Sequence, residues 1–199
     1  MVFLRLYSTA MAHNNIEVEI KVPITKSKYD SIKKRLGKTA KLIKTSHHVD
    51  GYYTSRLNDF LKPKYPYEWL MLRKRDGVVK LSYKHWYPEG VKYTTHCDEF
   101  ETVVDDHSQM EKILIALQYK KFVTVDKKRL TYVYRDELEI ALDTVRGLGY
   151  FIEIESLKDF GGIENARKRI LSLIKELGIR RTKTVPGGYA AELIRKSGK

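Results

Sequence analysis

The segment 16–24 alternates strictly between apolar and charged side chains, and this period of two constrains the fold more than any other feature of the chain. Its apolar residues are Ile16, Val18, Ile20 and Val22. Its charged residues are Glu17, Glu19 and Lys21. Such alternation is typical of a β-strand with one face in an apolar core and the other face in water. That interpretation fits this segment taken alone.

The same period recurs through most of the chain. It predicts further strands at 40–54, 69–75, 79–87, 93–104, 122–134, 137–143 and 150–156. Asp76-Gly77 and Arg135-Asp136 predict tight turns between antiparallel neighbours. Residues 55–68 predict a long basic loop. In strand after strand, acidic and basic residues share the polar face, which favours a common charged environment over separate solvent-facing strands.

Apolar residues at helical spacing predict four helices. The first runs from Ser27 to Leu36 and is ended by Gly37. Ser108 and Glu111 form a capping-box pattern that opens the second helix. The last two are predicted at 163–177 and 189–195. Because each helix has an apolar stripe, each needs an apolar surface to pack against.

These elements predict the fold class α+β, with a closed eight-stranded antiparallel β-barrel and helices packed on the outside. In this arrangement the apolar strand faces point outward under the helices, and the polar faces point into a tunnel. Closing an antiparallel sheet removes its edges, and about eight strands leave room for a small ligand.

Length and composition set the outer limits. The chain has 199 residues, which is enough for one substantial domain, expected at 15–199. Residues 1–14 are expected to be a leader that is either disordered or lies before the true first residue of the protein. No apolar run approaches the roughly 20 residues that span a bilayer, so no membrane partner is expected. One cysteine, Cys97, excludes an internal disulfide and suits the cytoplasm.

The net charge of +13 predicts a polyanionic ligand. Charged residues enclosed in a barrel need partners or a ligand, since an unpaired buried charge is costly. Arginine and lysine bind phosphate oxygens, and clustered carboxylates without histidine suit Mg²⁺ or Mn²⁺. Together they are the groups that phosphoryl-transfer chemistry requires. Trp69 and Trp86 are expected to be packing residues.

Six short motifs then occur in the order seen in one known family. They are Glu17-Val-Glu-Ile-Lys21, Leu72-Arg-Lys-Arg75, Leu81-Ser-Tyr-Lys84, Glu99-Phe-Glu101, Val125-Asp-Lys-Lys-Arg129 and the block from Asp143 to Glu155. This ordered set resembles the CYTH superfamily, the triphosphate tunnel metalloenzymes, over nearly the whole domain.

The resemblance implies a tunnel that binds a triphosphate and one or two divalent ions, Mg²⁺ or Mn²⁺. The implied metal ligands are Glu17, Glu19, Asp143, Glu153 and Glu155. The implied phosphate-binding residues are Lys21, Arg73, Arg75, Lys84, Lys127, Arg129 and Lys183. The implied catalytic residues are Lys21, Glu101 and Glu153. Lys183 is named because Gly187-Gly188 stands where many relatives have an arginine and a serine.

The first functional hypothesis is metal-dependent hydrolysis of a linear triphosphate, either inorganic tripolyphosphate or a nucleoside triphosphate. The first alternative is a class IV-like adenylate cyclase, which makes cyclic AMP and pyrophosphate from ATP. The second is a non-catalytic binder of polyphosphate or RNA, although nucleic acid is not the expected partner because carboxylates share the basic faces. A homodimer is compatible with the sequence.

Overall fold

The computed structural model describes residues 16–180 and 185–198, so the predicted leader at 1–14 and Lys183 lie outside the described residues. Nine strands are present in this part of the chain: β1 Ile16–Glu17, β2 Glu19–Ile24, β3 Lys41–Ser55, β4 Glu68–Arg75, β5 Val78–Tyr87, β6 His96–Val104, β7 Tyr119–Tyr134, β8 Leu138–Val145 and β9 Gly149–Ser156. Four helices accompany them: α1 Lys26–Thr39, α2 His107–Ala116, α3 Ile163–Glu176 and α4 Gly188–Lys196.

All nine strands belong to one antiparallel sheet in the order β1-β6-β5-β4-β3-β7-β8-β9-β2. Its two terminal strands, β1 and β2, are consecutive pieces of one segment, separated only by Val18. β1 pairs with β6 through Glu17 and Cys97, and β2 pairs with β9 from Glu19 onward. The segment 16–24 therefore joins both edges of the sheet, which confirms the predicted barrel. The ninth strand arises because the predicted first strand switches partner at Val18.

The outward strand faces form the main apolar core beneath α1 and α3. Ile20 of β2, Leu142 of β8 and Ile154 of β9 pack there against Leu36 and Ile170 of the two helices. All five side chains are buried. The alternation seen in the sequence thus sorts apolar residues to the outside of the barrel, under helices, as predicted.

Three predicted helix boundaries are wrong: both ends of α1 and the start of α2. Thr25 caps α1, since its hydroxyl oxygen accepts a hydrogen bond from the Lys28 backbone N–H at 3.2 Å, and the helix continues past Gly37. A glycine costs a helix interior only about 1 kcal/mol, so it does not by itself end one. Asp106, not Ser108, caps α2, because its carboxylate accepts hydrogen bonds from the Ser108 and Gln109 backbone N–H groups.

The fourth helix covers one end of the barrel. Tyr189 and Ala190 of α4 pack against Trp69 and Phe151, whose side chains point into the barrel. Trp69 is buried in this cluster, as expected for a packing residue. Three helices therefore pack on the sides of the barrel as predicted, and α4 packs on its interior residues at one end.

Two long connections lie at the same end as α4. They are residues 56–67, between β3 and β4, and residues 88–95, between β5 and β6. The opposite end has tight turns, including Asp76-Gly77, where both residues have positive φ values of 49° and 86°. None of the helices in the described ranges is both long and apolar enough to cross a membrane.

Candidate active site in the barrel interior

The barrel encloses a cavity of roughly 1200 Å³. Inward-facing charged side chains line it, and nearly all predicted site residues are among them: Glu17, Glu19, Lys21, Arg73, Arg75, Lys84, Glu101, Lys127, Arg129, Glu153 and Glu155. Asp143 is fully buried but does not line the cavity. The period of two therefore selected the inner strand face for all of the described candidates, including Asp143, which is covered there by Arg129 and Tyr189.

Three carboxylates converge where the first segment closes the barrel. Glu19 lies directly opposite Glu155 in the β2–β9 register, and Glu17 lies two residues earlier, on β1. One oxygen of each lies within 4.8 Å of the other two. Burial, together with the neighbouring carboxylates, raises the pKa of Glu17 to about 7. The pKa of Glu155 is raised well above its usual value by burial and by Glu17 and Glu19.

Lys84 lies beside this carboxylate cluster. Its ammonium contacts Glu17 and lies 3.3 Å from a carboxylate oxygen of Glu99. Burial alone would raise the pKa of Glu99, but Lys84 and Arg73 lower it to about 2. The buried Cys97 thiol donates to a Glu17 oxygen at 3.3 Å. Lys84 and Arg73 together therefore keep Glu99 ionised, whereas at Glu17 the attraction of Lys84 does not outweigh burial.

Arg73 and Arg75 extend from β4 into the cavity. Arg73 Nη1 donates to Glu99 at 2.9 Å and to Glu101 at 2.8 Å, and its Nε lies 3.5 Å from Asp50. Arg75 is less well satisfied. Its buried Nε and Nη2 have no hydrogen-bond partner within the described residues, and its nearest carboxylate, Asp50, is 3.9 Å away. A partly exposed guanidinium whose two buried nitrogens lack acceptors is a ready site for an anion.

Arg129 is held in a bidentate pair with Asp143. Its Nε and Nη2 donate to the two carboxylate oxygens at 2.7 Å and 2.6 Å, and the Tyr189 hydroxyl donates to the same carboxylate at 2.7 Å. Burial opposes ionisation of Asp143, yet Arg129 and Lys127 lower its pKa to about 2. Burial and the nearby Arg129 lower the pKa of Lys127. The Lys127 ammonium makes only a long hydrogen bond, of 3.4 Å, to a carboxylate oxygen of Asp143.

Glu153 has a cation at each of its oxygens. Lys21 lies 2.9 Å from one oxygen and Arg129 lies 2.9 Å from the other. Although burial opposes ionisation, these cations hold the pKa of Glu153 well below its usual range. A carboxylate held in this way is a weak proton acceptor. The arrangement suits Glu153 better to fixing the two cations than to acting as a general base.

The sequence patterns missed Asp50, Tyr52 and Tyr189, which also line the cavity. Asp50 lies opposite Arg73 in the β3–β4 register. Polar residues at every second position of β3, including Ser46 and His48, were a signal that could have placed Asp50 on the inner face. Tyr189 had no such signal, because its place depends on how α4 folds back across the barrel end.

Charge in the cavity is unbalanced in two places. Around Glu17, Glu19 and Glu155 a cation beyond Lys84 and Lys21 is needed, since burial and mutual repulsion raise the pKa values of Glu17 and Glu155 despite these two lysines. Around Lys127 and Arg75 an anion is needed, since one has a lowered pKa and the other has free donors. An anion carrying a divalent metal ion would correct both imbalances at once.

Fold and site together define a class of barrel protein with an enclosed site for a charged ligand. The CYTH domain family model matches residues 15–189, and the chain belongs to the CYTH family. Members of this family bind triphosphates such as ATP, use divalent metals and are typically enzymes. The three-carboxylate cluster of this chain fits such a metal.

Named relatives agree with this assignment. MJ0240 of Methanocaldococcus jannaschii, which carries a provisional adenylate cyclase name, is 31% identical over 176 residues, covering 87% of this chain and 96% of the relative. The structure of PH1819 from Pyrococcus horikoshii superposes with a TM-score of 0.73 at 28% identity, covering 90% and 99% of the two chains. HpAC1 from Hippeastrum, described with a dominant triphosphatase activity, shares the fold at 17% identity and a TM-score of 0.63, covering 92% and 96%.

Proposed function

We propose that this protein hydrolyses a linear triphosphate, inorganic tripolyphosphate or a nucleoside triphosphate, in the barrel interior with Mg²⁺ or Mn²⁺. The observation that carries the proposal is the double charge imbalance of one cavity. Three clustered carboxylates share only two lysine contacts, from Lys84 and Lys21, and they line the same space as Arg75, whose buried donors have no acceptor. A metal-complexed phosphate chain matches this pattern, because it brings both charges together.

The phosphate chain would bind to the basic residues of the inner face. Arg75 has two buried donors without a partner, and Lys127 has only a long contact of 3.4 Å with Asp143. Arg73, Arg129 and Lys21 are oriented by carboxylates, so their donors are fixed before the substrate arrives. Such fixed donors stabilise charge that develops on phosphate oxygens without reorganising during the reaction. The role of Lys183 stays a prediction from the sequence.

Glu17, Glu19 and Glu155 would hold the metal ion, which, when bound, offsets phosphate charge as a hard Lewis acid. Glu153 and Asp143 were predicted as ligands too, but the geometry favours a different role. The oxygens of both are occupied by arginine or lysine groups. We assign these two residues to positioning Lys21, Lys127 and Arg129.

Hydrolysis needs a water molecule that attacks the terminal phosphorus while the bond to the bridging oxygen breaks. Orthophosphate and diphosphate are the products from tripolyphosphate. Both carboxylates predicted as the base are paired with two cations, but Glu101 is the better candidate because its side chain is more exposed to water than that of Glu153, at 23% against 9%. Glu101 lines the cavity and contacts Arg73 and Lys80 at 2.8 Å and 2.6 Å.

Adenylate cyclisation is the second candidate, and the likeness to MJ0240 favours it. In that reaction the ribose 3′-hydroxyl attacks the α-phosphorus of ATP and pyrophosphate leaves. The same basic residues could bind the phosphates in either reaction. We rank hydrolysis first, with support from HpAC1, a protein of the same fold with a dominant triphosphatase activity.

One product analysis tests both reactions. The purified protein is incubated with tripolyphosphate or ATP, with Mg²⁺ or Mn²⁺, and orthophosphate, pyrophosphate, ADP and cyclic AMP are separated. Orthophosphate release that requires metal is the expected result. Glu19→Gln should abolish it, whereas the matched control Glu176→Gln, an exposed carboxylate on α3, should retain it.

Other products would change the assignment. Cyclic AMP as the main product from ATP would replace hydrolysis with cyclisation. Absence of any product, with phosphate compounds still bound, would leave the non-catalytic polyphosphate or RNA binder. A cytoplasmic location and a homodimer stay predictions from the sequence.

A further inference from the structure

The cavity does not account for the net charge of +13. Among the strand residues that line it, carboxylates outnumber basic side chains. A large surplus of basic residues therefore lies on the outer surface, where the proposed reaction does not use it. Helix α1 carries a dense part of this surplus, since six of its 14 residues are basic and only Asp30 is acidic.

The exposed side of α1 is basic. The helix buries Tyr29, Ile32 and Leu36 in the main apolar core, while Lys34 and Lys38 are exposed. Within the part of the chain that the structure describes, neither of these two ammonium groups is paired with a carboxylate. The two lysines are one turn apart, and like charges at this spacing slightly disfavour a helix. Helix stability therefore does not explain this pair.

Two aliphatic side chains are exposed directly after α1, at the start of β3. The exposed fraction is 51% for Leu42 and 45% for Ile43. The β3–β7 register shifts between Leu42 and Lys44, so Ile43 is the extra residue of a β-bulge, a feature that redirects side chains. The Lys44 ammonium lies 3.3 Å from the exposed carboxylate of Asp76. We define the distal patch as Lys34, Lys38, Leu42, Ile43 and Lys44.

The distal patch lies at the barrel end opposite the opening of the cavity. β3 begins in the patch, at Lys41, and ends at Ser55, where the loop 56–67 follows. Exposed residues of that loop, such as Lys64, line the cavity, so the cavity opens to water at that end. A surface that binds the distal patch would therefore leave the opening free for the substrate.

Two kinds of anionic surface fit exposed lysines, a nucleic acid and a membrane. Proteins that bind nucleic acids commonly add exposed aromatic side chains on which bases stack, but the distal patch has none, and Tyr29 of α1 is buried. Aliphatic side chains beside lysines are instead typical of proteins that lie on anionic membranes. There the lysines bind lipid headgroups and the aliphatic groups enter the acyl boundary. The chemistry of the patch therefore favours a lipid surface.

We infer that the distal patch binds the surface of a membrane rich in anionic phospholipids. Its lysines contact the headgroups, while Leu42 and Ile43 insert below them. Such binding is peripheral and needs no spanning helix. The sequence prediction of no membrane partner rested on the length of apolar runs, so it did not address a surface of this kind. The inference goes beyond the proposed function and does not depend on the reaction in the cavity.

Vesicle sedimentation tests the inference with the full chain in EDTA. The vesicles contain either phosphatidylcholine alone or phosphatidylcholine with about one third phosphatidylglycerol, which is anionic. We expect the protein to sediment with the anionic vesicles and not with the neutral ones. High salt should release it, because salt screens interactions between exposed charges.

Variants separate the contributions of charge and insertion. Lys34→Ala with Lys38→Ala should weaken binding to the anionic vesicles by about fivefold for each lysine, or about 25-fold together. Leu42→Ser should weaken it by about tenfold, because one aliphatic side chain no longer leaves water on binding. The control Lys62→Ala with Lys120→Ala removes two exposed lysines from the other end of the barrel and should bind like the wild type. All these side chains are exposed, so Tm should stay unchanged.

Failure to sediment with anionic vesicles, equal sedimentation with neutral ones, or an equal loss of binding in the control double variant would overturn the inference. Unchanged binding of Leu42→Ser would overturn it as well, since no insertion would then occur. Duplex RNA is titrated for comparison. Tighter binding of RNA than of anionic vesicles, lost in Lys34→Ala with Lys38→Ala, would show a nucleic-acid surface in place of a membrane surface.

Discussion

Glu17 gives the sharpest test of the metal site. If Glu17 is a metal ligand, its buried negative charge should lower the stability of the protein when no metal is bound. Burial, with Glu19 and Glu99 nearby, raises its pKa from 4.5 to about 7, even though Lys84 attracts the ionised form. Glu17→Gln keeps the shape of the side chain and removes the charge. The variant should therefore be more stable than the wild type when no metal is bound.

The magnitude follows from linkage. A carboxyl group with a raised folded-state pKa binds more protons when folded, so its ionisation costs stability as pH rises from 4.5 through 7. At pH 8 the cost is about 3 kcal/mol, and at pH 5 it is about 1 kcal/mol. The attraction of Lys84 is already included, because it acts on the same pKa. For a chain of this size, about 3 kcal/mol raises Tm by roughly 6–12 °C.

The assay is thermal unfolding at pH 8 and pH 5, in EDTA and then in Mn²⁺. In EDTA, Glu17→Gln should unfold at a higher Tm than the wild type, and the gain should shrink at pH 5. Adding Mn²⁺ should raise the Tm of the wild type, because the ion binds the folded state, and should do so far less in the variant. Glu176→Gln, an exposed carboxylate, should match the wild type throughout.

A variant that is less stable than the wild type in EDTA at pH 8 would refute the charge argument. A Tm of Glu17→Gln that rises with Mn²⁺ as much as that of the wild type would refute the assignment of Glu17 as a ligand. The two results are independent, so the electrostatics and the metal site are tested separately.

Three further predictions concern the other parts of the site. Arg75→Ala should raise KM for the triphosphate by about tenfold with little change in Tm, because the free donors of Arg75 serve the ligand and not the fold. The control Arg146→Ala, which removes an exposed arginine, should change neither KM nor Tm. Asp143→Asn should lower the free energy of unfolding by about 3–5 kcal/mol, because it breaks the buried ion pair with Arg129. Its affinity for Mn²⁺, measured by calorimetry, should stay unchanged. A large loss of Mn²⁺ affinity would show that Asp143 is a metal ligand after all. Gly187→Ala should lower the free energy of unfolding, measured in denaturant titrations, by about 1–2 kcal/mol. The reason is that Gly187 has a φ of 72° and that an added Cβ atom would lie 2.7 Å from the Cβ atom of Ala191. An unchanged free energy of unfolding would contradict the close packing of α4.

Much of the fold could be predicted from local patterns. Each strand was predicted from the period of two, and the inner face was identified because both signs of charge alternate with apolar residues, as in Glu17-Val-Glu-Ile-Lys21. The helix ends were less predictable. Asp106 and Ser108 both resemble caps, and only the backbone path decides which of them accepts the hydrogen bonds.

The sequence by itself determined which side chains face the interior, since the alternation of side chains along a strand is a local property. Only the tertiary structure decided which of them are neighbours. In the sequence, Asp143 and Glu155 are equivalent inward carboxylates, but the register places Asp143 opposite Arg129 and Glu155 opposite Glu19. One therefore becomes the partner of a cation, and the other becomes part of a carboxylate cluster. Register depends on contacts between distant parts of the chain, so no local pattern could have made that distinction.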